Sequence, residues 1–289
     1  MNTHRKPKRA LPAGSVDCHA HIFDRFDQYP LAASAKYQPA EHSREDYLAL
    51  LGQMGVKRGV QINATPYGFD NTITQDFIAT DRKNLKAIAV IHPDIAEAEL
   101  RALDAAGFVG ARLMDQFPTG ATTAMLESIA QRIKPYGWHI EINISQGGDW
   151  VGLEKRLFAC PVSLVFDHIG RVRGGEGVES PGFQVIKRLL TQRDDCWTKI
   201  SSWYRLSDAA PPAVPAHTDM RPLVQAVLAA RPDRCVWASN WPHSGINSAP
   251  PDDIDLVDEL EAWWPDDQVR EAVYVRNAEK LYGFEPYPG

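Results

Sequence analysis

His19 and His21 sit two residues apart in VDCHAHIF. If that segment is a strand, the spacing puts both imidazoles on one face. Other polar residues end apolar runs further along: Asn63 near Thr65, then Arg112, then His139, Glu141 and Asn143 on one parity. Asp167 and His168 follow, then Tyr204 and Arg205, and finally Asn240, Trp241 and His243. Imidazoles and carboxylates gathered in one place do acid–base chemistry, and a guanidinium among them anchors an anion. The stretch VWASNWPHSGIN, Val236 to Asn247, raises a question. Asn240 stands at its tip, and an amide does not titrate.

Each residue also has a plainer reading. A lone histidine at a strand end is usually a hydrogen-bonded structural group. The paired His19 and His21 resist that reading better than His92, which precedes Pro93. Arg112 could form a buried ion pair with Asp115 or Glu141. Arg205 could be solvated, Cys18 and Cys235 core, and Trp241 packing.

The positioning elements are legible as an alternation. Short runs rich in β-branched residues fall at 15–23, 59–63, 85–91, 109–114, 138–144, 163–169, 197–201 and 235–239. Helix-patterned stretches separate them. Ser43 with Asp46 forms a capping box ahead of YLALLGQMG, and Gly55 stands near that helix's end. Strands alternating with helices imply parallel βαβ units. Eight of them predict an α/β fold, a single-domain (β/α)8 TIM barrel over 13–289, preceded by a flexible basic tail over 1–12. An open doubly wound sheet would carry G-x-G-x-x-G after its first strand, and none is there. In a barrel the working residues stand at the C-terminal strand ends. The polar stretch 205–219 then reads as a loop over the mouth, and RVRGGEG (171–177) as a cover.

The chain has 289 residues, 24% of them charged, and a net charge of −6. This predicts no broad basic field for nucleic acid. No apolar run suggests a membrane span or a secretory signal. The four cysteines form no C-x-x-C pair. A reducing, cytoplasmic setting without disulfides is expected.

The ordered set VDCHAHIF, FDHIG, WASNWPH and NAEKLYGF resembles the amidohydrolase superfamily. The similarity is greatest to the branch of 2-pyrone-4,6-dicarboxylate lactonase and the sugar-lactone and muconolactone hydrolases. AKYQP (35–39), GARL (110–113) and PVSLVFDHIGR (161–171) extend it along nearly the whole chain. The resemblance implies a lactonase of aromatic-compound catabolism acting on a small acidic lactone. It assigns catalytic roles to His19, His21, His168 and position 240. Arg112 and Arg205 would hold substrate carboxylates, with Lys36, Tyr37, Asn63, Asn143 and His243 completing the substrate pocket. Where the branch has Asp in TDWPH, this chain has Asn240.

The expectation is a hydrolase that opens a carboxylated or sulfonated lactone with carboxylate-activated water, the three histidines polarising the carbonyl. The Asp-to-Asn change at 240 disables it. No cofactor is favoured, since Arg112 and Asn143 stand where metal-binding members carry ligands. A divalent ion such as zinc, if bound, would take His19, His21, His168 and position 240. The alternatives are a metal-dependent amidohydrolase or decarboxylase, a lactone isomerase, and a non-catalytic organic-acid binding protein. A homo-oligomer is allowed.

Overall fold

The computed structural model describes residues 5–209, 216–245 and 250–288. Eight strands, all parallel, follow one another around a sheet in sequence order. They are β1 Val16–Ala20, β2 Arg58–Ile62, β3 Leu85–Ala89, β4 Phe108–Met114, β5 His139–Asn143, β6 Leu164–Phe166, β7 Cys196–Ile200 and β8 Cys235–Trp237. Each run predicted as a strand overlaps one of them, but β6 is shorter than the run 163–169, because Asp167, His168 and Ile169 leave it as a turn. The ring closes just beyond β8: Ala20 bridges Trp241, and the Asn240 N–H donates to the His19 carbonyl. Closure of the barrel therefore places Asn240 beside the histidine pair.

Helices α1 Arg44–Met54, α2 Thr72–Ile78, α3 Glu97–Ala106, α4 Leu126–Ile133, α5 Trp150–Ala159 and α6 Pro181–Gln192 lie between the first seven strands. A short α7, Trp203–Leu206, and α8, Arg221–Ala230, precede β8. α9 Asp253–Leu260, α10 Asp267–Glu271 and α11 Asn277–Tyr282 end the chain, and a π-turn over Ala272–Arg276 links the last two. The capping box at Ser43 and Asp46 forms, and Gly55 and Gly107 end α1 and α3 in left-handed conformations. The basic tail, from Arg5 on, lies near acidic residues of α9 and α10: Arg5 pairs with Asp255 and Arg9 with Asp267. Such exposed pairs contribute little stability.

Two apolar layers result. Residues facing the helices form the large shell core. Inside the barrel, Val16, Cys18, Val60, Ile62, Val165 and Trp197 form a smaller cluster that also takes Tyr282 and Phe284. Strand parity then dictates what lies above this cluster. Two residues after Val165 comes Asp167, and two after Trp197 comes Lys199. The barrel interior thus turns from apolar to ionic toward the strand ends.

Candidate active site

The ionic layer is fully buried. Lys199 Nζ lies 2.5 Å from Glu141 Oε2, 3.2 Å from Asp167 Oδ1 and 3.0 Å from His19 Nδ1. Arg112 Nη2 lies 3.3 Å from Asp167 Oδ2, and Tyr282 Oη donates to Glu141 at 3.0 Å. Two cations and two carboxylates so balance. The partner of Arg112 is Asp167, not the expected Asp115 or Glu141. Asp115 instead accepts from the backbone and hydroxyl of Thr123, and Glu141 is taken by Lys199. Sequence reasoning misses Lys199, although a lone lysine inside the apolar run WTKIS is a signal.

This layer sets the histidine protons. His21 Nδ1 lies 2.9 Å from the Ile62 carbonyl, which only accepts, so Nδ1 carries the hydrogen. Burial, then Arg112, pushes His21 down to about 3. The ring is neutral and its Nε2 is an acceptor. His19 Nε2 lies 3.2 Å away and must donate there, leaving His19 Nδ1 to accept from the Lys199 ammonium. Burial, then Lys199, holds His19 well below its ordinary value. His168 Nδ1 bonds Ser201 Oγ at 2.7 Å. Burial lowers His168 as well, and Arg171 and Arg112 reinforce this against the opposing Asp167.

The chain leaves β6 through an unusual turn. His168, Ile169, Gly170 and Arg171 have φ of 55°, 53°, 62° and 55°, a left-handed run that L-residues disfavour. Packing holds it: Trp150 Nε1 donates to the Gly170 carbonyl at 2.6 Å. The turn presents His168 and Arg171 to one pocket, which contains about 390 Å³ of space opening to solvent. Its wall includes His21, Asn143, His168 and Asn240, and three guanidiniums, Arg112, Arg171 and Arg205. Tyr37, Thr65 and Gln116 also line it.

Arg171 is a second residue that sequence reasoning does not single out. Among the described residues it forms no ion pair, and its Nε is buried without a partner. Burial, then Arg205, pushes its guanidinium down to about 10. Arg112 Nε and Asn143 Oδ1 are likewise buried and unpartnered.

The remaining expected residues fall into two groups. Arg205 donates to the Ser244 carbonyl at 2.8 Å and to Tyr204 Oη at 3.0 Å. Tyr37 packs against Phe117 with its ring tilted by 59° and the centroids 5.1 Å apart. Lys36 is exposed and lies outside the pocket wall. Asn63 is turned to structure, donating to the Asp70 carbonyl and accepting from Thr74. His19 lies beneath His21, also off the wall. Of the stretch 205–219, residues 210–215 lie outside the described residues, as do Ile246 and Asn247. RVRGGEG is tied to the start of that stretch: Arg173 pairs with Asp208, and the Gly175 N–H donates to Asp208 at 2.9 Å.

Asn240 has φ 61°, a left-handed conformation that Asn tolerates better than most residues. Its Nδ2 lies 3.2 Å from Tyr204 Oη. His243 stands behind this contact rather than on the pocket wall, with Nδ1 2.6 Å from Tyr204 Oη and Nε2 3.1 Å from Asp253 Oδ1.

Among the described residues, His19, Asp167 and His168 bring one ligand atom each within 4.8 Å of one another. Nitrogen and carboxylate donors so spaced could coordinate a divalent cation. This set differs from the expected one: Asp167, not position 240, supplies the carboxylate. Lys199 and Arg112 already hold Asp167, so an ion would compete with both.

The description "Amidohydrolase" belongs to the family model that matches residues 16–284. The 2-pyrone-4,6-dicarboxylate hydrolase of Comamonas testosteroni is 32% identical over 287 residues, covering 96% of this chain and 92% of that protein. The D-galactarolactone isomerase of Agrobacterium fabrum is 29% identical, covering 97% and 94%. An apo crystal structure of an Agrobacterium tumefaciens protein superposes with a TM-score of 0.87 at 28% identity, covering 97% of this chain and all (100%) of that one. With the barrel, its histidine-bearing strand ends and a family match over nearly its whole length, the chain belongs to the amidohydrolase family.

Proposed function

We propose that this protein is an enzyme that opens the ring of a small acidic lactone. The observation that carries the reading is the charge of the pocket. Lys199 and Arg112 are balanced by Glu141 and Asp167 below it, whereas Arg171 and Arg205 form no ion pair among the described residues. Two guanidiniums facing one small pocket favour an anionic ligand, and each can hold a carboxylate or sulfonate through paired hydrogen bonds. Relatives named for lactones carrying such groups support the same class.

The remaining wall suits acyl transfer. Arg112 Nε–H and His168 are placed to donate to a carbonyl oxygen as it gains charge. Neutral His168 does this as a hydrogen-bond donor, not as a cation, whereas His21, whose hydrogen points to the Ile62 carbonyl, does not. A divalent ion, held by His19, Asp167 and His168, would supply Lewis-acid polarisation of the same carbonyl. We place the protein in a reducing, cytoplasmic setting, because its four cysteines are buried and free.

Position 240 decides which acyl acceptor is used. An aspartate there would take a proton from water, whereas Asn240 can position a hydroxyl but not deprotonate it. The chain as it stands is therefore a poor hydrolase. The amide favours a second reading, lactone isomerisation, in which a hydroxyl of the substrate itself attacks the carbonyl, the ring C–O bond breaks, and the hydroxyl's proton passes to the departing ring oxygen without a protein base.

The test is Arg171→Met, assayed against paired acidic and uncharged lactones with product analysis for ring-opened acid and isomer. Loss of one charge-assisted contact should raise KM for the acidic lactone by about tenfold or more. KM for the uncharged one should stay put. An equal change for both would remove the anion from the reading.

A further inference from the structure

Tyr204 Oη is surrounded by nitrogen. Asn240 Nδ2 at 3.2 Å and Arg205 Nε at 3.0 Å can only donate. His243 Nδ1 is closest, at 2.6 Å, and a proton must lie on that line. The other ring nitrogen of His243 meets Asp253 Oδ1 at 3.1 Å, so Nε2 carries its hydrogen toward the carboxylate. Nδ1 is then free to accept from the phenol, or to hold the phenol's proton. The arrangement is a carboxylate–imidazole–hydroxyl relay whose hydroxyl belongs to a tyrosine.

The relay has a consequence for position 240. With its single proton committed to His243, Tyr204 Oη has none to give Asn240. The amide must present Nδ2 to the phenol, which leaves Oδ1 for the pocket. Arg205 is fixed by the same oxygen. The backbone holds these partners in place: Asn240 and His243 have φ of 61° and 64°, and the His243 N–H donates to the Asn240 carbonyl at 2.9 Å.

We propose that Tyr204 is a positioning residue for acyl transfer: with a proton shared along the His243–Asp253 relay, it locks Asn240 Oδ1 toward the substrate and fixes the Arg205 fork beside it. The proton moves between Oη and Nδ1, and nothing enters or leaves the pair. When it sits on Nδ1, the phenolate accepts three N–H bonds and the lock is tightest. This rests on the proposed lactone chemistry only for its effect on turnover.

The surrounding charges favour that form. Arg205 faces Tyr204 from its own helix, His243 from the β8 turn, and Asp253 faces His243 from the start of α9. His42 faces His243 from the β1–α1 loop. Burial pushes the Tyr204 phenol up, but His243 and then Arg205 outweigh it and leave it lowered. Burial pushes His243 down, but Tyr204 and Asp253 leave it raised to about 9. Tyr47, Tyr67, Tyr274 and Tyr282, by contrast, are all raised.

The test is an ultraviolet-difference titration of tyrosinate on the whole protein, compared with Tyr204→Phe and His243→Gln. One tyrosine should ionise below the ordinary phenol range of about 10. It should be missing from Tyr204→Phe and shifted up by about a pH unit or more in His243→Gln. Superposable curves for the wild type and Tyr204→Phe would overturn the proposal. On an acidic lactone, Tyr204→Phe should lower kcat at least about tenfold, with a smaller effect on KM. The loss should be much smaller when Asn240→Asp is also present, because a carboxylate has no wrong way round. An equal loss in both backgrounds would also overturn it. If no acidic lactone is turned over by the wild type, the proposed activity fails, while the titration still decides the relay.

Discussion

At the scale of single residues, Asn240 is the position on which the proposed chemistry turns. Its amide is not idle: Nδ2 is bound to Tyr204 Oη, and the backbone N–H helps close the barrel. An aspartate in the same place would draw the shared proton from His243 back onto Tyr204 Oη to satisfy one oxygen, and would present the other to the pocket. It could take a proton that the amide cannot. Asn240→Asp should therefore raise the rate of lactone hydrolysis by about 10²–10⁴-fold, the usual worth of a positioned general base. The ratio of ring-opened acid to isomer should rise with it. Product analysis by proton resonance reads both together. Unchanged hydrolysis would mean that water is activated elsewhere, with the His19, Asp167 and His168 cluster the next place to look.

At the scale of elements, the turn after β6 does what no strand end could do alone. Four consecutive left-handed residues swing His168 and Arg171 toward the same pocket. Gly170 permits it: a Cβ there would lie 1.9 Å from Ile186 Cδ1 and 2.9 Å from Trp150 Nε1. Gly170→Ala should destabilise the fold by about 2–4 kcal/mol, from left-handed strain together with overpacking. It should also weaken anion binding through Arg171. Thermal unfolding and calorimetric titration with an acidic lactone measure the two effects. An alanine variant of native stability would show that the turn is not held as tightly as Trp150 and Ile186 suggest. This turn also marks where sequence reading stops. The eight strands are legible because each is a short apolar run flanked by turn residues, and the capping box at Ser43 because its chemistry is local. DHIGR carries one glycine for four positive-φ positions, so nothing local announces a left-handed turn, and Arg171 reads as part of a surface loop. His19 and His21 are legible from spacing, whereas Lys199 is tied to them only by the ring closure of the barrel.

At the scale of the whole molecule, an acidic protein of net charge −6 keeps a cationic pocket over an internally balanced ionic layer. The layer joins four strands: Arg112 from β4, Glu141 from β5, Asp167 just beyond β6 and Lys199 from β7. Its members are 0–2% exposed, so each charge depends on its neighbours rather than on water. Lys199 is central, since it serves both carboxylates and fixes the His19 tautomer. Lys199→Met would leave Glu141 without its cation and Asp167 with Arg112 alone. Breaking a buried pair from one side costs about 3–5 kcal/mol, and for a chain of this size that corresponds to a drop in melting temperature of roughly 10 °C. Adding Glu141→Gln should return part of the loss, because it removes the stranded charge. The same variant tests whether a divalent ion can be held here. With the ammonium gone, Asp167 Oδ1 and His19 Nδ1 lose the donor they share, so the Lys199→Met protein should retain more zinc after dialysis than the wild type. Equal stability of Lys199→Met and the wild type would mean that the ammonium does not balance this layer. Equal zinc content would mean that Lys199 is not what an ion competes with at His19, Asp167 and His168.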